Sequence, residues 1–173
     1  NFDDAQTGVK TLFSDVSLRE ELAARGYFLS SANSINWGRL LPQIVYYVSA
    51  YCDLVTAEQI VMGEEVDVCV PTGNFGNILA GFYAKKMGVP IAKLICASNE
   101  NNVLTDFIRT GTYDRNRPFY QTASPSMDIL ISSNLERLLS LLSGSDEAVR
   151  SYMKSLSETG KYTVSEPVFR AIQ

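Results

Sequence analysis

The sequence of 173 residues contains no histidine. Histidine is the side chain whose ordinary pKa lies closest to neutral pH, and it is the commonest protein ligand for transition metals. Mechanisms that depend on a histidine base, and zinc sites that depend on a histidine ligand, are therefore excluded for this chain. No other metal-ligand motif is present, so no metal is expected.

Cysteine is scarce as well, since Cys52, Cys69 and Cys96 are scattered along the chain without Cys-x-x-Cys spacing. Each lies in an apolar stretch. Free cysteine in such surroundings behaves as a small hydrophobic residue, and disulfides are rare in reducing compartments. We expect three buried thiols in a protein of the cytoplasm.

Neither an excess of positive charge nor a long apolar run is found. The chain has 15 Lys and Arg against 19 Asp and Glu, whereas nucleic-acid-binding domains usually carry a basic patch. A membrane-spanning helix needs about 20 apolar residues in succession, and no run approaches that length. With 46% hydrophobic and 20% charged residues, the composition is typical of a soluble globular domain. Neither a nucleic acid nor a membrane is an expected partner.

The two ends of the sequence resemble cut points. The chain begins "NFDDAQTGVK", without a methionine and already inside an amphipathic pattern. It ends at "SEPVFRAIQ", where Ser165 and Pro167 are typical of the cap and first turn of a helix. This pattern predicts an internal piece of a longer protein. A complete small protein with frayed ends is the alternative.

Strand-like and helix-like patterns alternate along the chain. The clearest unit runs from the strand "VDVCV" through a Gly/Asn-rich turn and a helix at Asn77–Met87 to the strand "IAKLICAS". Four other helices are expected: one with a capping box from Ser17 to Glu20, one over Trp37–Tyr51 that Pro42 opens or kinks, one with a capping box from Ser133 to Glu136, and one over Asp146–Leu156. Two further strands are expected at "YFLSS" and "KYTV". The pattern predicts an α/β fold with a mainly parallel sheet covered on both faces.

The turn "PTGNFGN" lies where the first strand ends and the helix begins, which is where open parallel sheets bind ligands. Such a turn presents unpaired amides and the positive end of the helix dipole to an anion. We expect Gly73 and Gly76 to allow a close approach and unusual dihedral angles. Thr72, Asn74 and Asn77 can add side-chain hydrogen bonds. The turn lacks the sequence motifs of dinucleotide-binding and triphosphate-binding sites. Its composition therefore predicts a set of neutral donors that binds a single phosphate, and a purely structural turn is the alternative.

Three motifs in this order resemble threonine synthase of the bacterial and fungal type: "SANSINWGRLLPQIVYY", "VPTGNFGNILAGFYAKKMG" and "ASPSMDILISSNLERLL". The resemblance implies a partial three-layer fold of the fold-type II class of pyridoxal phosphate (PLP) enzymes, similar to the β subunit of tryptophan synthase. It assigns residues 1–31 to the tail of the smaller domain and residues 32–173 to part of the larger one, truncated at both ends. By the same resemblance, the cofactor phosphate is bound by Gly73, Asn74, Phe75, Gly76 and Asn77.

The family converts O-phospho-L-homoserine and water to L-threonine and phosphate, a β,γ-replacement in which PLP is the electron sink. Such an enzyme needs a lysine for the Schiff base. None of the six lysines of this chain, Lys10, Lys85, Lys86, Lys93, Lys154 and Lys161, lies in the family's context for it. The resemblance therefore implies that this lysine precedes Asn1. No catalytic residue is assigned within the chain, and the chain by itself is expected to be inactive.

The substrate carries a phosphate and a carboxylate, so its pocket needs donors and a fixed positive charge. The motif "NSINWGR" offers Asn33 together with Ser34, Asn36 and Arg39, of which the last three are the predicted substrate-binding residues. Helix capping is the alternative role for Ser34 and Asn36, and a solvated surface side chain is the alternative for Arg39.

Other polar groups are given structural roles. Asp128 in "SPSMDI" is expected to fix the chain locally, with the orientation of a nearby basic or amide group as the alternative. Asn99 and Asn102 either face the ligand edge of the sheet or cap the next helix. Tyr113, Arg115 and Arg117 are interpreted as a solvated loop.

Two further functions stay open at the level of sequence. One is another fold-type II PLP lyase, either a dehydratase or a threonine synthase-like phospholyase, which would share the glycine-rich turn. The other is a non-catalytic domain that binds a phosphorylated metabolite. Each has a small molecule as its partner, and the sequence gives no indication of an oligomeric state.

Overall fold

The structure is a computed structural model that describes residues 2–32, 34 and 36–173. Its helices are α1 (Phe2–Ser14), α2 (Val16–Ala24), α3 (Trp37–Leu40), α4 (Ile44–Thr56), α5 (Gly76–Lys86), α6 (Val103–Thr110), α7 (Leu135–Ser143), α8 (Asp146–Thr159) and α9 (Glu166–Ile172). Its strands are β1 (Val66–Pro71), β2 (Ile91–Ala97), β3 (Thr112–Asp114) and β4 (Lys161–Thr163). None of the described helices is both long and apolar enough to cross a membrane.

The predicted strand–helix–strand unit is confirmed as β1, α5 and β2. The two strands pair in parallel, with Val68 opposite Leu94 and Val70 opposite Cys96. A parallel pair needs a crossover connection, and α5 provides it. Since the carboxyl end of β1 leads directly into α5, the glycine-rich turn lies at the edge of the sheet where ligands of α/β proteins bind.

Only one face of the β1–β2 sheet is well covered by the described residues. Alternate residues of β1 pack on the core, including Val66, Val68 and Val70, whereas Asp67 and Cys69 between them are exposed. The expectation of a sheet covered on both faces therefore does not hold within the part of the chain that the structure describes. The expectation of three buried thiols is also wrong. Cys52 and Cys69 are exposed and Cys96 is half-buried.

The predicted strand "KYTV" is confirmed as β4 (Lys161–Thr163), whereas β3 and its antiparallel pairing with β4 were not expected from the sequence. Tyr113 lies opposite Tyr162, and their rings stack with centroids 5.4 Å apart. Phe107 of α6 meets both rings edge-on, and such aromatic pairs add to the stability of a cross-strand contact. The interpretation of Tyr113 as part of a solvated loop is wrong, because this side chain is only 1% exposed.

Local capping differs from the sequence prediction at two helices. Asp15, rather than Ser17, caps α2, since its side chain accepts a hydrogen bond of 3.0 Å from the amide of Leu18. The box from Ser133 to Glu136 does not form either. The Ser133 hydroxyl donates instead to Asn74, which lies far away in sequence. Residues 27–31, predicted as the strand "YFLSS", form no strand.

Pro42 opens the long helix α4 rather than kinking it. It lies in the first turn of a 3₁₀ segment, Leu41–Gln43, that connects α3 to α4, and in a first turn its missing amide costs no hydrogen bond. The buried face of the helical segment is made by Leu40, Ile44, Tyr47 and Tyr51. Val45 and Val48 are exposed.

Helices α4 and α5 approach each other closely at one glycine. A Cβ atom built on Gly81 would lie 2.7 Å from Cε1 of Tyr47, which is shorter than any ordinary contact. Glycine at this position lets the ring of Tyr47 lie against the backbone of α5. Tyr47 is thereby brought to the start of α5, next to the glycine-rich turn.

Candidate functional site

The turn between β1 and α5 lines a pocket of about 150 Å³. We call residues Gly73–Asn77 the glycine loop. The pocket is lined by the whole glycine loop together with Ser34, Pro71, Thr72, Ile78, Ser126 and Met127. All of these side chains are neutral, so the described part of the pocket offers polar donors without a charged group, as the sequence predicted.

The backbone of the glycine loop has its unusual conformation at Phe75. Phe75 precedes the first residue of α5 and has a φ of 63°, in the left-handed region. A non-glycine residue pays a conformational cost there, and such residues cluster at functional sites. The ring of Phe75 is buried in the core, which holds it in place. The expectation that Gly73 and Gly76 adopt the special dihedrals is wrong, because neither has a positive φ.

The two glycines are needed instead for close contacts within the protein. A Cβ atom on Gly76 would lie 2.8 Å from both Cβ and Oγ of Ser34. A Cβ atom on Gly73 would lie 2.9 Å from Cδ1 of Ile129 and 3.3 Å from Cα of Met127. The glycine loop therefore fits between the segment that carries Ser34 and the segment that precedes α7.

The amides of the glycine loop are available to a ligand. Among the described residues, no hydrogen bond is formed by the backbone N–H groups of residues 73–77. The carbonyl groups of Gly73 and Asn74 do have partners, since they accept from Ser132 and from Asn134 respectively. Successive free amides at the start of a helix form an anion site. This donor set fits a single phosphate group.

Tyr47 is a contact of the glycine loop that the sequence analysis missed. Its hydroxyl donates to the carbonyl oxygen of Asn77 at 2.8 Å and also lies against the side-chain oxygen of Asn77. Burial raises the pKa of Tyr47 to about 12, so the hydroxyl keeps its proton and remains a donor at neutral pH. The spacing of Tyr47 from Leu40 and Ile44 fits one helical face, which is a signal of burial, but nothing in that spacing indicates Asn77 as its partner.

The three predicted substrate residues have different surroundings. Ser34 lines the glycine-loop pocket and also an adjoining pocket of about 170 Å³ that contains Arg39. Arg39 is exposed and donates from Nε to the carbonyl oxygen of Ala32 at 3.0 Å. Asn36 caps α3, with its Oδ1 atom accepting from the amide of Gly38 at 2.9 Å. Asn33 lies outside the described residues.

Asp128 organises the segment that carries Ser126 and Met127 to the pocket. Its carboxylate accepts from the amide of Thr122 at 2.9 Å and from the side chains of Asn99 at 2.7 Å and Asn101 at 3.1 Å. The interpretation that Asp128 fixes the chain is confirmed, and it also orients two amide side chains. Hydrogen bonds from Thr122, Asn99 and Asn101 hold the pKa of Asp128 below its usual value. Asn102 does not bond to Asp128; its Oδ1 atom accepts a hydrogen bond from Nη1 of Arg117.

Replacing Asp128 with asparagine is expected to reduce stability in a pH-dependent manner. The fold lowers the pKa of Asp128, so the carboxylate stabilises the native state above the ordinary aspartate pKa of about 3.9, and this contribution disappears as pH falls through the lowered value. The difference in unfolding midpoint between wild type and Asp128→Asn should be largest at neutral pH and should shrink in acid. Urea unfolding at several pH values measures it. Asp53→Asn, at an exposed position of α4, is the control, and an equal difference at every pH would contradict the prediction.

The described residues contain no cluster of three or more His, Cys, Asp or Glu side chains arranged to hold a metal ion. The residues around the glycine loop are instead amides, hydroxyls and backbone donors. Their chemistry suits the recognition of an anion by hydrogen bonds.

Known proteins with similar sequences match most of the chain. It is 40% identical over 177 residues to threonine synthase of Saccharomyces cerevisiae, a match that covers 96% of this chain and 33% of that protein. It is 62% identical over 148 residues to threonine synthase-like 1 of Homo sapiens, which covers 84% of this chain and 20% of that protein. No family model matches the chain.

Solved structures show the same fold. The structure of PLP-bound threonine synthase from Brucella melitensis superposes with a TM-score of 0.81 at 46% identity, over 99% of this chain and 35% of that one. The expected fold class, α/β with the parallel sheet of the fold-type II enzymes, is confirmed by this match. The chain spans about a third or less of the length of the relatives described.

Proposed function

We propose that this chain, which is homologous to threonine synthases along nearly its whole length, supplies the cofactor-phosphate site of a PLP-dependent enzyme. The enzyme would convert O-phospho-L-homoserine and water to L-threonine and phosphate. The observation that carries the proposal is the row of unpaired amides in the glycine loop at the start of α5. It occurs in a chain that is 46% identical to a PLP-bound threonine synthase.

The glycine loop would bind the 5′-phosphate of PLP. Backbone amides of Asn74, Phe75, Gly76 and Asn77 would donate to the phosphate oxygens, and the dipole of α5 would favour the negative charge. When bound, PLP withdraws electrons from the substrate carbon atoms. Because Tyr47 holds Asn77 from the side of α4, the first turn of α5 is fixed before the ligand arrives, and little ordering is needed on binding.

The adjoining pocket would bind the substrate. Ser34 borders both pockets, so its hydroxyl is placed to donate at the boundary between cofactor and substrate. Arg39 donates from Nε to Ala32, and among the described residues its two terminal nitrogens have no partner. These nitrogens can make a two-pronged contact with the substrate phosphate. Asn36 would act indirectly, by capping α3 and thereby fixing the direction of Arg39.

The Schiff-base lysine would come from a part of a longer protein outside this sequence. None of the lysines lines the glycine-loop pocket. Lys85 donates to the carbonyl of Ala92, Lys86 lies over the ring of Phe82, and Lys154 pairs with Glu158. We accordingly propose that residues 1–31 end a smaller domain, that residues 32–173 form part of a larger one, and that the chain alone is inactive. The composition supports a cytoplasmic location.

Borohydride reduction in the presence of PLP tests the lysine assignment. The full-length protein should become labelled on a lysine that this sequence does not contain. Stoichiometric labelling of one of the six lysines present here would contradict the proposal. Failure of the full-length protein to form any Schiff base would favour a non-catalytic phosphate-binding domain instead.

A second candidate function is supported by the identity of 62% to threonine synthase-like 1. The protein would then be a threonine synthase-like phospholyase that eliminates phosphate from the substrate without adding water at the neighbouring carbon. Both candidates release inorganic phosphate from O-phospho-L-homoserine. Product analysis separates them, because a synthase yields L-threonine in equal amount to phosphate, whereas a phospholyase yields the 2-oxo acid and ammonia. A dehydratase would act on serine or threonine and release no phosphate.

Replacing Arg39 with lysine is expected to raise the KM for the phosphorylated substrate by about tenfold, with a smaller effect on kcat. A two-pronged guanidinium contact contributes about 1.5–3 kcal/mol, and lysine cannot reproduce its geometry. Steady-state kinetics of the full-length protein measure the change. Arg109→Lys, near the exposed end of α6, is the matched control. An unchanged KM for Arg39→Lys would show that Arg39 is a solvated surface residue.

A further inference from the structure

Asn134 is a completely buried polar residue that the sequence analysis did not identify. Its exposed fraction is 0%, and a buried amide side chain is costly unless its hydrogen bonds are formed. Its Nδ2 atom donates to Oγ of Ser34 and to the carbonyl oxygen of Asn74, each at 3.0 Å. Its Oδ1 atom accepts from Nη1 of Arg137. Each polar end of the side chain is therefore engaged by the protein itself.

The bonds made by Asn134 fix one face of the glycine loop. The carbonyl oxygen of Asn74 accepts from both Nδ2 and the backbone amide of Asn134, the latter at 3.1 Å. A trans peptide unit is planar, so its N–H group points away from its carbonyl group. With the carbonyl of Asn74 held toward Asn134, the amide of Phe75 points to the opposite side. Ser132 holds the carbonyl of Gly73 in the same manner, which directs the amide of Asn74.

The same residue also holds the substrate side of the site. Asn134 donates to the hydroxyl oxygen of Ser34, and Arg137 donates to the carbonyl oxygen of Ser34 at 2.7 Å. Arg137 in turn lies over the ring of Trp37, 5.9 Å from its centroid. Since the hydroxyl oxygen of Ser34 accepts from Asn134, the hydroxyl hydrogen is left to donate elsewhere. The two pockets that share Ser34 are thus joined through one buried side chain.

We infer that Asn134 is a positioning residue that aligns the phosphate-binding amides of the glycine loop with the hydroxyl of Ser34. This inference rests on the proposed function of the loop as the cofactor-phosphate site. Asn134 itself would not contact the ligand. It sets the direction of two donor groups that would: the amide of Phe75 at the cofactor site and the hydroxyl of Ser34 at the border of the substrate site.

Two substitutions in the full-length holoenzyme separate positioning from simple packing. Asn134→Asp keeps the acceptor for Arg137 and the size of the side chain but removes both donor hydrogens. Asn134→Ala removes the whole amide group. Gln59→Ala, which removes an exposed amide side chain that lines neither pocket, is the control and should behave as wild type. Ser132→Ala removes the hydroxyl that donates to the carbonyl of Gly73. It provides a second test of the positioning of the loop if the substitutions of Asn134 prevent folding.

The readouts are the dissociation constant of PLP, the ³¹P NMR shift of the bound cofactor phosphate, and the KM for O-phospho-L-homoserine. Asn134→Asp is expected to weaken PLP binding by about tenfold, to move the ³¹P resonance, and to raise KM as well, because both donors lose their orientation. Ser132→Ala should weaken PLP binding while leaving KM nearly unchanged, since Ser132 does not hold Ser34.

Specific results would overturn the inference. A folded Asn134→Asp protein with wild-type PLP affinity and an unmoved ³¹P resonance would show that Asn134 only fills space. If both Asn134 variants fail to fold, wild-type PLP affinity in Ser132→Ala would contradict the inference that the segment carrying Ser132 and Asn134 positions the glycine loop. A wild-type protein that takes up no PLP would overturn the proposed function itself, which is a different outcome from an unaffected variant of a PLP-binding protein.

Discussion

Gly76→Ala is expected to weaken PLP binding by the full-length protein by about 100-fold. The new methyl group would lie 2.8 Å from Cβ and Oγ of Ser34, and Cβ cannot move aside without the backbone. Overpacking of this kind costs about 1–3 kcal/mol, and each 1.4 kcal/mol corresponds to a tenfold change in affinity. Because the loop must move away from Ser34, the amides that face the pocket are displaced, and PLP binding is weakened. Fluorescence titration of the apoprotein with PLP measures the effect.

Two further variants show whether contact with Ser34 is the cause. Gly8→Ala in α1 adds a methyl group where no atom of the described residues lies within 4 Å, and it should leave PLP affinity unchanged. The double variant Gly76→Ala with Ser34→Gly removes the obstructing side chain and should recover part of the lost affinity. Wild-type affinity in Gly76→Ala would show that the loop and Ser34 do not pack as described.

Phe107→Ala is expected to lower the free energy of unfolding by about 3–5 kcal/mol, the usual cost of removing a large buried aromatic side chain. Phe107 is 0% exposed and meets Tyr113 and Tyr162 edge-on with centroids 5.7 and 5.9 Å away. Its loss would leave a cavity beneath the only antiparallel strand pair among the described residues. Tyr113 would then be less firmly held, although its hydroxyl accepts from the amide of Ser132 and donates to Leu130.

Urea unfolding with a matched substitution tests this expectation. Phe119→Ala removes the same atoms from a side chain that is 40% exposed, and its midpoint should change little. Phe107→Ala should lower the midpoint strongly and should also increase amide exchange in β3 and β4. Equal midpoints for the two variants would contradict the role of Phe107 as the centre of this cluster.

The glycine loop was identifiable from sequence because its signals are local. Alternating apolar residues before the turn, the Gly/Asn-rich turn itself and the helical pattern after it all lie within residues 66–88. The structure has β1, the glycine loop and α5 at the expected positions. Resemblance to threonine synthase added the ligand, which the pattern alone had defined only as a single phosphate.

Sequence patterns mislead where a side chain has several possible hydrogen-bond or packing partners. Ser133 was assigned to a capping box, yet its hydroxyl turns to Asn74, because tertiary packing brings the glycine loop within its reach. Tyr113 looked like a residue of a solvated loop beside two arginines, yet it is buried against Tyr162. Short-range propensity carries no information about such distant neighbours.

The sequence by itself determined the strand–helix–strand unit, the place of the glycine loop and the neutral character of its donors. Only the tertiary structure decided which side chains hold that loop. Asn134 reaches Ser34 across 100 positions of the chain and reaches Asn74 across 60, and Tyr47 reaches Asn77 across 30. Periodicity and turn chemistry depend on residues a few positions apart, whereas the alignment of loop amides depends on hydrogen bonds that form only when distant segments pack together.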